Sequence, residues 1–232
     1  MPDTTEQERS EAPAQSAIAR VAKDPVSRRK FMALTGGSAA MAAFLAACGS
    51  NSGTTTSTAV SSGSGEAKTE TEQFGKGDVG ILNYALTLEY LETAFYADVV
   101  KSGLFKGAEL DLIKKFGSEE AEHVKALTAA VKSMKGTPAP EPKVEFPLKS
   151  AKSVLELAAT VENLGAAAYL GQAVNITSPE VLASALAIHT VEGRHASTLN
   201  TVLGMPITPD GAFAKPADAK TVLKAVEPFI VS

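Results

Sequence analysis

The sequence has no tryptophan, a single cysteine, three histidines among 232 residues and an aromatic content of 6%. A lone cysteine, Cys48, excludes an intramolecular disulfide and any cysteine-rich metal site. Few aromatic residues beside abundant alanine disfavour a sandwich of β-branched and aromatic strands, so an all-α fold is expected. An excess of basic charge is also missing. The formal net charge of −4 offers nucleic acid no electrostatic attraction. The 44% of hydrophobic residues is ample for one core.

A membrane-length apolar run is lacking too. The nearest approach, "SRRKFMALTGGSAAMAAFLAAC" at residues 27–48, is shorter than the ~20 apolar residues of a span and is weakened by Gly36, Gly37 and Ser38. Ser27 and the pair Arg28 and Arg29 precede a mildly apolar run from Phe31 to Ala47 that ends in "LAAC". This order resembles a twin-arginine export signal closed by a lipobox. The resemblance implies that residues 1–47 are removed and that Cys48 carries a lipid holding the protein to the membrane at the cell envelope. It also implies export in the folded state, often with a metal or cofactor loaded beforehand. In "GSNSGTTTSTAVSSGSG", residues 49–65, Ala59 and Val60 are the only apolar residues. Such a segment buries too little to offset its ordering entropy and is expected to be a flexible tether reaching ~20–25 Å. The expected organisation is a signal at 1–47, a linker at 48–75, a folded domain at 76–204 and a tail at 205–232.

Helix punctuation predicts four long helices. The first runs from Asp78 to about Ser102 with Gly103 as its stop; the second runs from near Gly107 to Gly136 and tolerates Gly117 at some cost. Ser153 with Glu156 makes a capping box for the third. Ser178, Pro179 and Glu180 open the fourth, which Gly204 and Pro206 close. Short connections make two antiparallel hairpins. Between them "GTPAPEPKVEFPLKS", residues 136–150, could extend over ~45 Å, more than the ~36 Å of a 24-residue helix. The expected architecture is a four-helix bundle of two hairpins with a long crossover between the second and third helices.

The stripes that should line the core contain an internal repeat. The second helix carries Ile113, Phe116, Glu120, His123, Leu127, Ala130 and Met134 at alternating three and four spacing; the fourth carries Val181, Ala185, Ile188, Glu192, His195, Leu199 and Val202. A shift of 72 residues superposes Glu120 on Glu192 and His123 on His195. A shift of 73 superposes Glu89 and Tyr96 of the first helix on Glu162 and Tyr169 of the third. Each half thus offers one lone glutamate, a tyrosine seven residues later and one Glu-x-x-His. A carboxylate and an imidazole one turn apart point to the same side of a helix. Four ionised carboxylates in a core would each face a penalty of several kcal/mol and would repel one another. Two divalent cations would cancel the four charges, and oxygen with imidazole ligands suits iron or manganese, with zinc possible by affinity. A metal-free hydrogen-bonded network is the alternative.

With these motifs in view, residues 78–204 resemble the ferritin-like superfamily. "LNYALTLEYLETAFY", "EEAEHV" and "HTVEGRHA" are similar to its exported bacterial ferritin-like domain branch. The resemblance implies a dinuclear centre, most readily of iron, in which Glu89 and Glu162 are terminal ligands, Glu120 and Glu192 bridge, and His123 and His195 each bind one ion. Glu92 is kept as an auxiliary acid because its repeat partner is Gly165. Tyr96 and Tyr169 are near enough to orient a carboxylate or donate an electron, or else they fill the core. His189 is expected beside the site or at its rim, and Glu119 and Glu122 on the solvated side. The expected activity is oxidation of Fe(II) or reaction with dioxygen or hydrogen peroxide, with a dimanganese catalase-like variant open. A non-catalytic metal-binding or structural envelope protein is the rival. No C-x-x-C pair is present, so electrons must come from a partner or the substrate. The tail predicts a short helix around Ala217 to Val226, with "PFIV" packing over a bundle end.

Overall fold

The computed structural model describes residues 70–231. Arg28, Arg29, Cys48 and residues 49–65 lie outside the described residues. Four long helices carry the fold: α1 (Gly77–Ser102), α2 (Gly107–Ser133), α3 (Ala151–Ala173) and α4 (Pro179–Val202), followed by the short α5 (Ala219–Val226). Among the described residues there is no strand beyond an isolated bridge between Val144 and Ile230, and no helix long and apolar enough to cross a membrane. The all-α architecture follows from the punctuation. Gly103 takes the left-handed conformation at φ 70 that ends α1, and the Ser178 hydroxyl accepts the Val181 amide ahead of Pro179 to start α4.

Two ends differ from the sequence expectation. The third helix begins at Ala151, and its cap, Ser150, lies three residues before the expected one at Ser153. Ser150 caps it by accepting the Ser153 amide, and the Ser153 hydroxyl accepts the Ser150 amide in return. A serine in the third helical position closes the box as a glutamate would, and Glu156 pairs instead with Lys152 at 3.2 Å. The second helix stops at Ser133, so its core stripe finishes on Val131 rather than on Ala130 and Met134, and Met134 is 38% exposed.

Helix α1 packs chiefly on α2, and α3 on α4, as two antiparallel hairpins. The two halves are stapled by Asp78, a buried residue at the start of α1. Its carboxylate accepts the Thr177 amide at 2.9 Å, the Thr177 hydroxyl at 3.0 Å and the Ser178 amide at 2.7 Å in the α3–α4 turn. Burial pushes this carboxyl up, but the Thr177 and Ser178 donors outweigh it and hold it below the usual carboxylate value. Asp78→Ala is therefore expected to cost about 2–4 kcal/mol of unfolding free energy at pH 7. Denaturant titration measures that loss. Because the folded-state carboxyl is depressed, its contribution is present above the unfolded value and disappears as pH falls through the folded one.

Two apolar clusters flank a polar middle. Leu82, Leu86, Leu127, Val131 and Ile188 fill the part near the start of α1, and Phe95, Val99, Phe116 and Leu199 fill the other. The tail helix α5 does not sit on a bundle end. Val222 and Val226 lie over Leu88 and Leu91 of α1 and Val161 and Leu164 of α3, and "PFIV" runs beside the crossover. There the Glu145 amide donates to the Phe229 carbonyl and the Val231 amide to the Lys143 carbonyl, both at 2.9 Å. The tail can lie this close because Gly171 presents no side chain: a Cβ there would stand 1.9 Å from the Ala217 carbonyl oxygen.

Candidate metal centre

The polar middle layer gathers the six side chains that the repeat singled out. Glu89, Glu120, Glu162 and Glu192 are 0% exposed, and His123 and His195 are buried beside them. Each helix contributes through its inward stripe, so the residues that break the apolar pattern in sequence are neighbours in space. His123 Nδ1 lies 2.8 Å from Glu120 Oε2 and 3.2 Å from both Glu89 Oε2 and Glu192 Oε1. His195 Nδ1 lies 2.8 Å from Glu120 Oε1 and 3.2 Å from Glu162 Oε2. Two groups result, Glu89 with Glu120, His123 and Glu192, and Glu120 with Glu162, Glu192 and His195. In each, one atom from every residue lies within 4.8 Å of the others, and Glu120 and Glu192 belong to both.

Hydrogen bonding leaves this cluster poorly satisfied. Glu120 Oε1, Glu162 Oε2, both oxygens of Glu192 and His195 Nδ1 are buried without a well-directed hydrogen bond, although the imidazole nitrogens lie 2.8–3.2 Å from Glu120, Glu162 and Glu192. Buried polar atoms are rarely left so, and their crowding in one layer marks a site rather than core packing. The electrostatics agree. Burial drives the Glu89 carboxyl up to about 7 despite the His123 hydrogen bond, and burial with neighbouring carboxylates also raises Glu162 and Glu192. Burial alone would lower the two imidazoles. The surrounding carboxylates overcome it and raise His123 to about 12 and His195 to about 11. In the protein by itself, protons thus neutralise the charge a pair of cations would neutralise. The donor set therefore fits divalent metal: carboxylate oxygens and imidazole nitrogens, gathered in two four-residue groups that have two residues in common.

The tyrosines cross between the halves. The Tyr96 hydroxyl donates to Glu162 Oε1 and the Tyr169 hydroxyl to Glu89 Oε1. Each fixes the lone glutamate of the opposite hairpin, so both orient a carboxylate as well as fill the core. Glu92 is buried at 3% and reaches toward Glu192 through the gap at Gly165. A Cβ on Gly165 would sit 3.0 Å from both Glu92 Oε1 and Glu192 Oε2. The glycine that lacks a repeat-related acid thus makes room for the acid of the other half.

One placement needs correction. Glu119 does not belong wholly to solvent: its Oε2 lies 2.9 Å from His195 Nε2, while its Oε1 pairs with Lys115 at 2.7 Å. His195 is thereby gripped on the nitrogen facing away from the centre, and the Phe116 ring lies 4.1 Å from its own. Sequence reading missed this because the repeat puts Val191 at the matching place, and Glu119 lies one residue off the inward stripe. Glu122 is exposed, as expected, and pairs with Lys125. His189, expected beside the site or at its rim, is half-buried with Nδ1 2.9 Å from the Ala166 carbonyl and belongs to neither four-residue group.

The comparison with known families agrees with this geometry. A family model described as a ferritin-like domain matches residues 77–205, which run from the first residue of α1 to just past the end of α4. No match is found among curated proteins. The match spans more than half of the 232 residues and contains all six side chains of the buried cluster, so the chain belongs to the ferritin-like domain family.

Proposed function

We propose that this protein is an exported, lipid-tethered oxidoreductase with a dinuclear metal centre, most readily of iron, that acts on Fe(II), dioxygen or hydrogen peroxide. The observation that carries the reading is the pair of four-residue groups of buried carboxylates and imidazoles that share Glu120 and Glu192. In this reading Glu89 and His123 would hold one ion, Glu162 and His195 the other, and Glu120 and Glu192, which belong to both groups, would serve both. Manganese suits the same donors, and thiolate is absent from them. The bound ions would supply Lewis acidity and redox capacity for the small oxidant. The residues do the rest. Four carboxylates offset the charge of the ions, the Tyr96 and Tyr169 hydroxyls hold the two terminal carboxylates in orientation, and the apolar clusters at either side exclude bulk water. Glu92 is the acid next to the centre that is left over from the ligand set, able to hold a proton beside Glu192.

Export and membrane attachment through Cys48 belong to the same proposal and rest on the residues 27–48 motif. Folded export would allow loading before the protein leaves the cytoplasm. Electrons for repeated turnover would come from a partner or from the substrate.

The reading is tested by the rates of Fe(II) oxidation and peroxide consumption in the wild type and in Glu120→Ala and His195→Ala. Loss of both rates in the variants supports it; rates equal to the wild type mean that the cluster turns nothing over. Glu119 gives a finer check. Removing a carboxylate that grips the far nitrogen of a ligating imidazole typically weakens metal binding ~10–100-fold. Glu119→Ala is expected to weaken one of two metal equivalents by that factor and leave the circular dichroism spectrum unchanged. Competition with a chelator of known affinity reads the difference.

A further inference from the structure

A cavity of about 20 Å³ lies inside the bundle between the start of α1 and the end of α3, with side chains of all four long helices around it. Every residue lining it is buried except Ile176, half-buried in the α3–α4 turn, so that turn is its nearest approach to solvent. The surface facing the space is almost wholly carbon. Ala85 and Leu127 in its wall are each one turn from a residue of the polar layer, Glu89 and His123 respectively. The Tyr169 ring is a further wall, and its hydroxyl is bonded to Glu89. The repeat explains why the space exists. Under the shifts of 73 and 72 residues, Ala168 of α3 corresponds to Phe95 of α1, and Ala185 of α4 to Ile113 of α2. Phe95 and Ile113 are buried core residues at 0% and 3% exposure, whereas both alanines line the cavity. Two alanines thus stand where the other half packs a phenylalanine and an isoleucine.

We propose that this cavity binds a single molecule of an apolar diatomic gas, dioxygen, and holds it next to Glu89 and His123. The walls select the molecule. Water occupies a buried space only where it finds two to four polar partners, and hydrogen peroxide, with two O–H donors, is no better served by carbon. The size selects too. A space for one water needs about 10–15 Å³, so this one admits one small molecule and excludes an aromatic ring or an organic acid. Of the small oxidants in the dinuclear reading, dioxygen is the apolar one. The identity of the gas rests on that reading; the cavity does not, since apolar packing forms it. The two halves of the polar layer are then unequal: a gas molecule has room beside Glu89 and His123, and the repeat-related place in the other half is taken by Phe95 and Ile113.

Dioxygen is paramagnetic, so methyl relaxation of the full chain after chelator treatment, measured under oxygen pressure and referenced to nitrogen, reads where it binds. The Leu82 and Leu127 methyls, which line the cavity, should show enhancements at least ~3-fold above those of Val99 and Leu199, which are as deeply buried but do not line it. Ala185→Ile copies the repeat partner, fills the space and should abolish the difference. Ala185→Val, a smaller change, should reduce it and serves where isoleucine overpacks the core. Equal enhancement at both pairs of methyls in the wild type, or a difference unchanged in a folded Ala185 variant, would overturn the proposal. Elemental analysis of the same samples after reloading reports separately on the metal. Enhancement in a protein that takes up no iron or manganese would support the cavity and contradict the dinuclear reading; uptake without enhancement would do the reverse.

Discussion

Glu192→Gln is expected to destroy two-metal loading and, in the metal-free protein, to raise the melting temperature. Both effects come from one side chain because Glu192 is fully buried and belongs to both four-residue groups. Its carboxyl is pushed well up by burial first, then by Glu89 and further carboxylates against the His123 hydrogen bond, so its ionised form is a burden to the protein without ions. A neutral amide removes that burden. Exchanging a strained buried charge for a neutral isostere stabilises on the order of 1–2 kcal/mol, a shift of about 3–6 °C for a domain of this size. The same amide cannot supply the bridging charge, so affinity for the second equivalent should fall by ~100-fold or more. A structural carboxylate would behave in the opposite manner: its loss would destabilise the metal-free protein and leave metal uptake as it was. Thermal melts with and without chelator, with elemental analysis, read both.

The metal-free protein should be less stable at pH 8 than at pH 5, the reverse of the usual acid sensitivity. Glu89 ionises near 7 in the fold and near 4.5 when unfolded, so the folded chain keeps a proton that the unfolded chain has released. Stability falls with rising pH wherever the folded state binds more protons. For Glu89 the fall begins near pH 4.5 and is complete above 7, and Glu162 and Glu192 shift in the same direction. His123 and His195 add to it above their unfolded value of 6.5, because in the fold they stay protonated until about 12 and 11. Glu120 and Asp78 have the opposite sign, but their window lies below pH 4.5. A net loss of a few kcal/mol between pH 5 and 8 follows. With ions bound, the order should invert: ligands must shed their protons to bind, so affinity climbs with pH and the loaded protein gains stability toward neutrality. Melting curves at pH 5 and 8, each with and without chelator, test the crossing. Metal-free protein that melts higher at pH 8 would count against it.

The helices and the clustering were legible for the same reason. A core stripe at three and four spacing with an acid and an imidazole in it is conspicuous, and a second copy 72 residues away fixes the register of both hairpins without knowledge of any contact. What lay off that stripe was harder. Glu119 meets His195 only because α2 and α4 face each other at a rotation that sequence does not specify, and the repeat gives no hint because Val191 stands in its place. His189 carries a ligand-type side chain, yet its hydrogen bond is to backbone, a matter of side-chain direction rather than spacing. The cap of α3 was read three residues late because Ser153 and Glu156 match the usual box spacing, whereas the box that forms is closed by two serines, Ser150 and Ser153. The tail was placed least well. Its strong amphipathy shows that Val222 and Val226 must be covered, but the tail's close approach depends on Gly171, whose missing side chain lies on another helix.

In the proposed centre six buried side chains would hold two ions and share Glu120 and Glu192. Anaerobic titration of chelator-stripped protein with Fe(II), and separately with Mn(II), followed by gel filtration and elemental analysis, tests it most directly. Two tight equivalents per chain in the wild type, with neither retained in the double variant Glu120→Ala/Glu192→Gln, is the predicted result. No retained ion in the wild type, or the same number retained by the double variant, would contradict it.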